Sequence, residues 1–128
     1  MEIKTKTLMA TLIESGDETQ ITIVEVIGDI DGKTAPDVQA QTLEAAKSTS
    51  KLILDLTQVP YMSSAGLRVM LSAYRYISSQ QGQVVLVGLC ENIKDTMSVT
   101  GFLDFFVTCE TVNDSLAELK VQATAVSH

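Results

Sequence analysis

The side chains best placed to do chemistry in this sequence are two adjacent serines. Ser63 and Ser64 stand in "LILDLTQVPYMSSAGLRVML", after an apolar run and before a helical pattern, next to Ala65 and Gly66. A serine hydroxyl can attack a carbonyl, accept a phosphate or cap a helix. Attack needs a base to take the hydroxyl proton. The one histidine, His128, is the last residue, where a chain end is expected to fray. No G-x-S-x-G elbow occurs either. Catalysis by these serines is therefore not expected. Capping fits better, with Ser63 as the cap, worth about 1 kcal/mol, and Ser64 in the first turn. Gly66 fits less well, because glycine inside a helix costs about 1 kcal/mol relative to alanine. Its presence points to a close backbone approach. The small pair Ala65–Gly66 would leave Ser64 uncovered for a large partner.

Other chemistries find little support. Cys90 and Cys109 are too far apart for a CxxC motif and read as small buried thiols. With two cysteines and no interior histidine, neither a transition-metal site nor a cofactor is expected. "PYMSSAGLR" lacks the G-x-x-x-x-G-K spacing of a phosphate-binding loop. A phosphate-accepting receiver domain would need clustered acids after the first strand and at the end of a central one. Asp55 instead lies inside its strand, and no lysine follows "DFFVTCE".

The elements that must position the serines can be read from periodicity. "IKTKTLMATLIE" and "TQITIVEVIG" alternate around the turn "SGDE" and predict a hairpin. "DGKTAPDVQAQTLEAAKS" predicts a helix starting at Thr34, with Asp37 as the reciprocal capping partner and Pro36 in the first turn. "KLILDL" and "QVVLVGL" are short and almost wholly apolar, as strands buried on both faces should be. Between them, apolar positions at Leu67, Met70, Leu71, Tyr74 and Ile77 predict an amphipathic helix, ended by Gln81 and Gly82. A short helix closing at Gly101, a strand "DFFVTCE" and a helix "TVNDSLAELKV" capped by Thr111 and Asp114 complete the order. Strands alternating with helices imply right-handed crossovers. The fold class is α/β: a mixed, mostly parallel sheet with an N-terminal antiparallel hairpin and about four helices. Functional loops in such sheets lie at the carboxyl ends of strands, where Ser63 and Ser64 fall.

The 128 residues fit one domain, expected over 1–121, with 122–128 as a frayed tail. Nine basic against sixteen acidic residues leave a net charge of −7. Such a surface repels nucleic acid and anionic lipid, so a protein partner is expected, and neither nucleic acid nor membrane. No apolar run reaches the roughly 18 residues of a membrane span, and "MEIKTKTLMA" lacks a signal peptide's apolar core. A cytoplasmic location is expected.

The stretch "DLTQVPYMSSAGLRVML" resembles the signature of STAS domains, specifically the bacterial anti-anti-sigma factors, or anti-sigma factor antagonists. That signature reads approximately D-S-S-G-L. Matching Gly66 and Leu67 to its Gly-Leu puts Ser64 on the phosphorylated serine, Ser63 on the preceding aspartate and Ala65 on the second serine. The turn "GDIDGKTAPDV", "KLILDL" and "GQVVLVGL" are similar to family elements in family order. The resemblance implies the STAS fold and a non-enzymatic partner switch. The unmodified protein would bind an anti-sigma factor that is also a serine kinase of the histidine-kinase-like ATPase fold. Phosphorylation would release it, and a metal-dependent serine phosphatase would reset it. Two departures from the signature, Ser63 for the acid and Ala65 for the second serine, make Ser63 a rival to Ser64 as phosphate acceptor. Asp31 matches a family acidic position, and Asp31, Thr34, Ser63, Ala65, Gly66 and Arg68 are the candidate partner surface. Asp31 as a solvated turn or cap residue and Arg68 as an exposed helix position remain alternatives. So do a STAS scaffold in a kinase and phosphatase circuit without a sigma factor, and a nucleotide-binding module.

Overall fold

In the computed structural model, which describes residues 1–123, the chain forms a six-stranded sheet and four helices. In chain order these are β1 (Glu2–Leu12), β2 (Glu18–Ile27), α1 (Ala35–Lys47), β3 (Lys51–Gln58), α2 (Ser64–Ser79), β4 (Gln83–Val87), α3 (Glu91–Val99), β5 (Val107–Cys109), α4 (Val112–Glu118) and β6 (Val121–Ala123). The strand order across the sheet is β5-β4-β3-β2-β1-β6. β2, β3, β4 and β5 run parallel, while β1 is antiparallel to β2 and to β6. The expected hairpin and mostly parallel mixed sheet are both present.

Side-chain alternation along the strands divides the core in two. Val24, Val26, Leu52, Leu54, Leu56, Val84 and Leu86 face α1, α2 and α3. Ile21, Ile23, Ile53, Val85 and Val87 face the other way and meet Leu119 and the flank of α4. Both faces of β3 and β4 are thus covered, which explains their continuous apolar runs. Asp55 is the exception in "KLILDL": it is half-buried, and its Oδ1 accepts from the Thr57 hydroxyl at 2.6 Å and the Thr57 N–H at 3.1 Å.

Four local expectations need correction. Thr34 occupies the cap of α1 but makes no side-chain cap bond, and Asp37 gives none back. Asp31 does the capping instead, for reasons given below. The expected strand "DFFVTCE" is mostly not a strand: Phe102–Phe105 form a 3-10 turn, and only Val107–Cys109 pair with β4. Phe105 and Phe106 stack on Tyr74 of α2, with ring centroids 5.6 and 5.5 Å away, and this packing curls the chain there. Gln122 and Ala123 do not begin a frayed tail. They extend β6, where Ala123, Gln122 and Val121 pair with Ala10, Thr11 and Leu12. Residues 124–128, the rest of that expected tail, and with them His128, lie outside the described residues. The cysteines are half-buried rather than fully buried. Burial pushes the Cys109 thiol up, helped by the carboxylates of Glu118 and Asp114. No helix among the described residues is long and apolar enough to cross a membrane.

Candidate functional site

Two loops meet at the carboxyl ends of the adjacent parallel strands β2 and β3, the position open α/β sheets reserve for function. One runs from Gly28 to Thr34, the other from Val59 to Ser63. Ile30 and Met62 form an isolated parallel bridge between them. The Ile30 N–H donates to the Tyr61 carbonyl at 3.0 Å, and the Ser63 N–H donates to the Ile30 carbonyl at 2.8 Å. Ile30 and Met62 are buried, so the bridge is an extension of the core. It fixes the start of α2 against the start of α1.

On the α1 side, the Asp31 carboxylate organises its own loop. Its Oδ1 accepts from the Lys33 N–H at 2.9 Å, the Thr34 N–H at 3.1 Å and the Thr34 hydroxyl at 3.3 Å. The Thr34 hydroxyl also lies 2.9 Å from the Asp29 carbonyl and accepts from the Asp31 N–H at 2.9 Å. The backbone N–H of Thr34, then that of Lys33, hold the Asp31 carboxyl below the usual carboxylate range. Asp31 therefore caps α1 from three residues upstream of the position expected to do so. Both Asp31 and Thr34 remain half-buried.

On the α2 side, the two serines are not equivalent. Ser63 has extended backbone at the cap position, and its carbonyl accepts from the Leu67 N–H at 3.0 Å. Its hydroxyl makes no cap bond. Ser63 Oγ is sealed from solvent and has no hydrogen-bond partner among the described residues. The side chain of Ser64, the first residue of α2, is exposed. Of the two hydroxyls, a visiting protein can reach the one on Ser64.

Gly66 is buried. A Cβ there would collide with the Met62 side chain and sit 2.9 Å from Ile30 Cγ2. The glycine lets α2 rest on the Ile30–Met62 bridge, so the close approach expected at this residue is internal. Ala65 is half-buried and Arg68 exposed. Together with Gly32, Ala35 and Pro36 of the facing loop and helix they line an open groove of about 470 Å³ between α1 and α2. The fold therefore gathers Asp31, Thr34, Ser63, Ser64, Ala65, Gly66 and Arg68 around one end of the sheet, with Ser64 and Arg68 the outward-facing members. Sequence reasoning did not single out Ile30 and Met62 as the residues that hold this end together. The apolar character of Ile30 in the polar run "GDIDG" was the available signal. Among the described residues, no group of three or more His, Cys, Asp or Glu side chains is arranged to hold a metal ion.

Comparison with known proteins agrees with this geometry. The STAS domain model matches residues 13–117. An anti-sigma-B factor antagonist of Listeria monocytogenes is 38% identical over 80 residues, covering 62% of this chain and 70% of that protein. Among solved structures, an anti-sigma factor antagonist from Mycobacterium paratuberculosis superposes with a TM-score of 0.71 at 24% identity, over 91% of this chain and 95% of the other. The Bacillus cell fate determinant SpoIIAA in its phosphorylated form shares the fold, with a TM-score of 0.63 at 14% identity over 90% of this chain and 98% of its own. A mixed sheet of this strand order, a strand-to-helix junction that presents one serine, and a family match over residues 13–117 lead to one assignment: the chain belongs to the STAS domain family, among relatives named as anti-sigma factor antagonists.

Proposed function

We propose that this protein is an anti-sigma factor antagonist whose docking is gated by phosphorylation of Ser64. The observation that carries the reading is the contrast at the start of α2: Ser64 is an exposed residue, while Ser63 Oγ is sealed. In this reading the unmodified protein binds an anti-sigma factor that is also a serine kinase of the histidine-kinase-like ATPase fold. The kinase moves the γ-phosphoryl group of ATP to Ser64 Oγ, the hydroxyl proton is lost, and ADP leaves. A metal-dependent serine phosphatase restores the hydroxyl. The protein is substrate and ligand in this cycle, which we place in the cytoplasm, and it catalyses no step itself.

The physics of the gate is local. A phosphoserine adds about −1.5 to −2 charges. At the first turn of a helix the free N–H groups and the dipole favour an anion, so the fold tolerates the modification. The effect falls on the interface. The exposed start of α2 gains a dianion on a protein already at −7. Burying such a charge unpaired against a partner costs several kcal/mol, and each 1.4 kcal/mol is tenfold in affinity. The test is to incubate the protein with ATP and a serine kinase of this class from the same organism, then map the phosphate by mass spectrometry. Phosphate on Ser64 that is abolished by Ser64→Ala and retained in Ser63→Ala supports the reading. Phosphate on Ser63, or on neither serine, overturns it.

A further inference from the structure

Resting on Ser64 as the phosphate acceptor, we propose that Arg68 is the internal counter-ion of the phosphorylated serine. Modification would then add a dianion and also withdraw the nearest cation from the exposed face of α2. The chain has two arginines, Arg68 and Arg75, and both are exposed on α2, a helix with no acidic residue. At 3.6 residues per turn, Ser64, Arg68 and Arg75 fall within about 40° of arc. Neither arginine takes part in the ion pairs found among the described residues. On a chain with net charge −7 this face carries +2 and fits carboxylates on a protein partner.

Arg68 lies four residues after Ser64, so the two side chains are neighbours one turn apart. The anion is on the N-terminal side, the favoured orientation for such a pair. A guanidinium matches phosphate oxygens in a two-point, charge-assisted contact. Arg75 is eleven residues on, about 16 Å along the axis, beyond a Debye length of about 8 Å at physiological salt. The phosphate therefore engages Arg68 and leaves Arg75 alone. The added charge of about −1.5 to −2 takes the face from +2 to nearly zero. The attraction to an acidic partner is lost along with the uncharged contact at Ser64.

The experiment installs phosphoserine at position 64 of the full chain during translation and follows its second ionisation by phosphorus NMR. Arg68→Gln should raise the phosphate pKa by about 0.3 unit, the size expected for one i,i+4 ion pair. Arg75→Gln should move it by about a third of that or less, and Arg68→Lys should recover part of the shift. The Arg68 Nε–H resonance should move on phosphorylation while that of Arg75 stays in place. Equal shifts in the two glutamine variants, or none in either, overturn the pairing. Because no kinase is used, this result is independent of the kinase assay. Failure here leaves Ser64 as the acceptor untouched, and failure there does not explain a missing shift here.

Discussion

Replacing Ser63 by alanine should make the protein more stable, although serine before a helix is usually kept for the opposite reason. Ser63 Oγ is buried, and no donor or acceptor of the described residues meets it. Burying a hydroxyl without a partner costs about 1–3 kcal/mol on protein mutational data. Alanine removes that cost and leaves a space about one oxygen atom in size. The backbone bond that starts α2, from the Leu67 N–H to the Ser63 carbonyl at 3.0 Å, needs no side chain. The net gain expected is about 1 kcal/mol, a rise in melting temperature of roughly 3–5 °C for a domain of this size. A capping serine would instead lose about 1 kcal/mol on the same change, so the two cases differ in sign. Thermal and urea melts followed by circular dichroism decide between them, with exposed Ser64→Ala as a near-neutral control. A fall of several degrees in Ser63→Ala would refute the reasoning and restore Ser63 as a cap.

Two further perturbations probe the scaffold around the serines. Asp31→Ala should lower the melting temperature at neutral pH, because the N–H groups of Lys33 and Thr34 lose their acceptor. The Asp31 carboxyl is depressed in the folded state, so its contribution is present above the unfolded carboxylate pKa and is lost as pH falls through the folded one. The gap between variant and wild type should close in strong acid, and a gap that stays constant across pH would count against the carboxylate. Gly66→Ala should destabilise the isolated protein by about 1 kcal/mol: overpacking against Met62 and Ile30 costs about 1–3 kcal/mol, less about 1 kcal/mol of helix propensity gained. Urea melts that show stabilisation would mean the glycine serves a visiting partner instead.

The sequence was most legible where local pattern and tertiary environment agree. The alternation in the hairpin, the apolar runs of β3 and β4 and the spacing of Leu67, Met70 and Ile77 each follow from one element packing on one surface. Legibility failed where distant residues decide. β6 is three residues long, too short for a period, and exists because β1 offers it a free edge. The 3-10 turn at Phe102–Phe105 forms where Phe105 packs on Tyr74, a residue on a helix far earlier in the chain. At the site, "DGKT" and "SSAG" suggested caps in the right places, but Asp31 replaces Thr34 at α1 and the Ser63 side chain makes no cap bond at α2. Asp31 and Thr34 can each cap α1, but the Thr34 hydroxyl accepts from the Asp31 N–H, which leaves the free N–H groups of Lys33 and Thr34 to the Asp31 carboxylate. Ser63 and Ser64 have the same side chain, and the burial of Ser63 Oγ beside the Ile30–Met62 bridge is a tertiary feature that local pattern does not show.

The most direct measurement is the affinity of two forms of this protein for an anti-sigma factor of the same organism, one unmodified and one carrying phosphoserine at 64, by isothermal calorimetry. A penalty of several kcal/mol for burying a dianion that the single charge of Arg68 does not neutralise corresponds to a loss of at least about 100-fold, with identical circular dichroism spectra for the two forms. Equal affinities, or a loss accompanied by unfolding of α2, would contradict a gate that works at the surface of an unchanged fold.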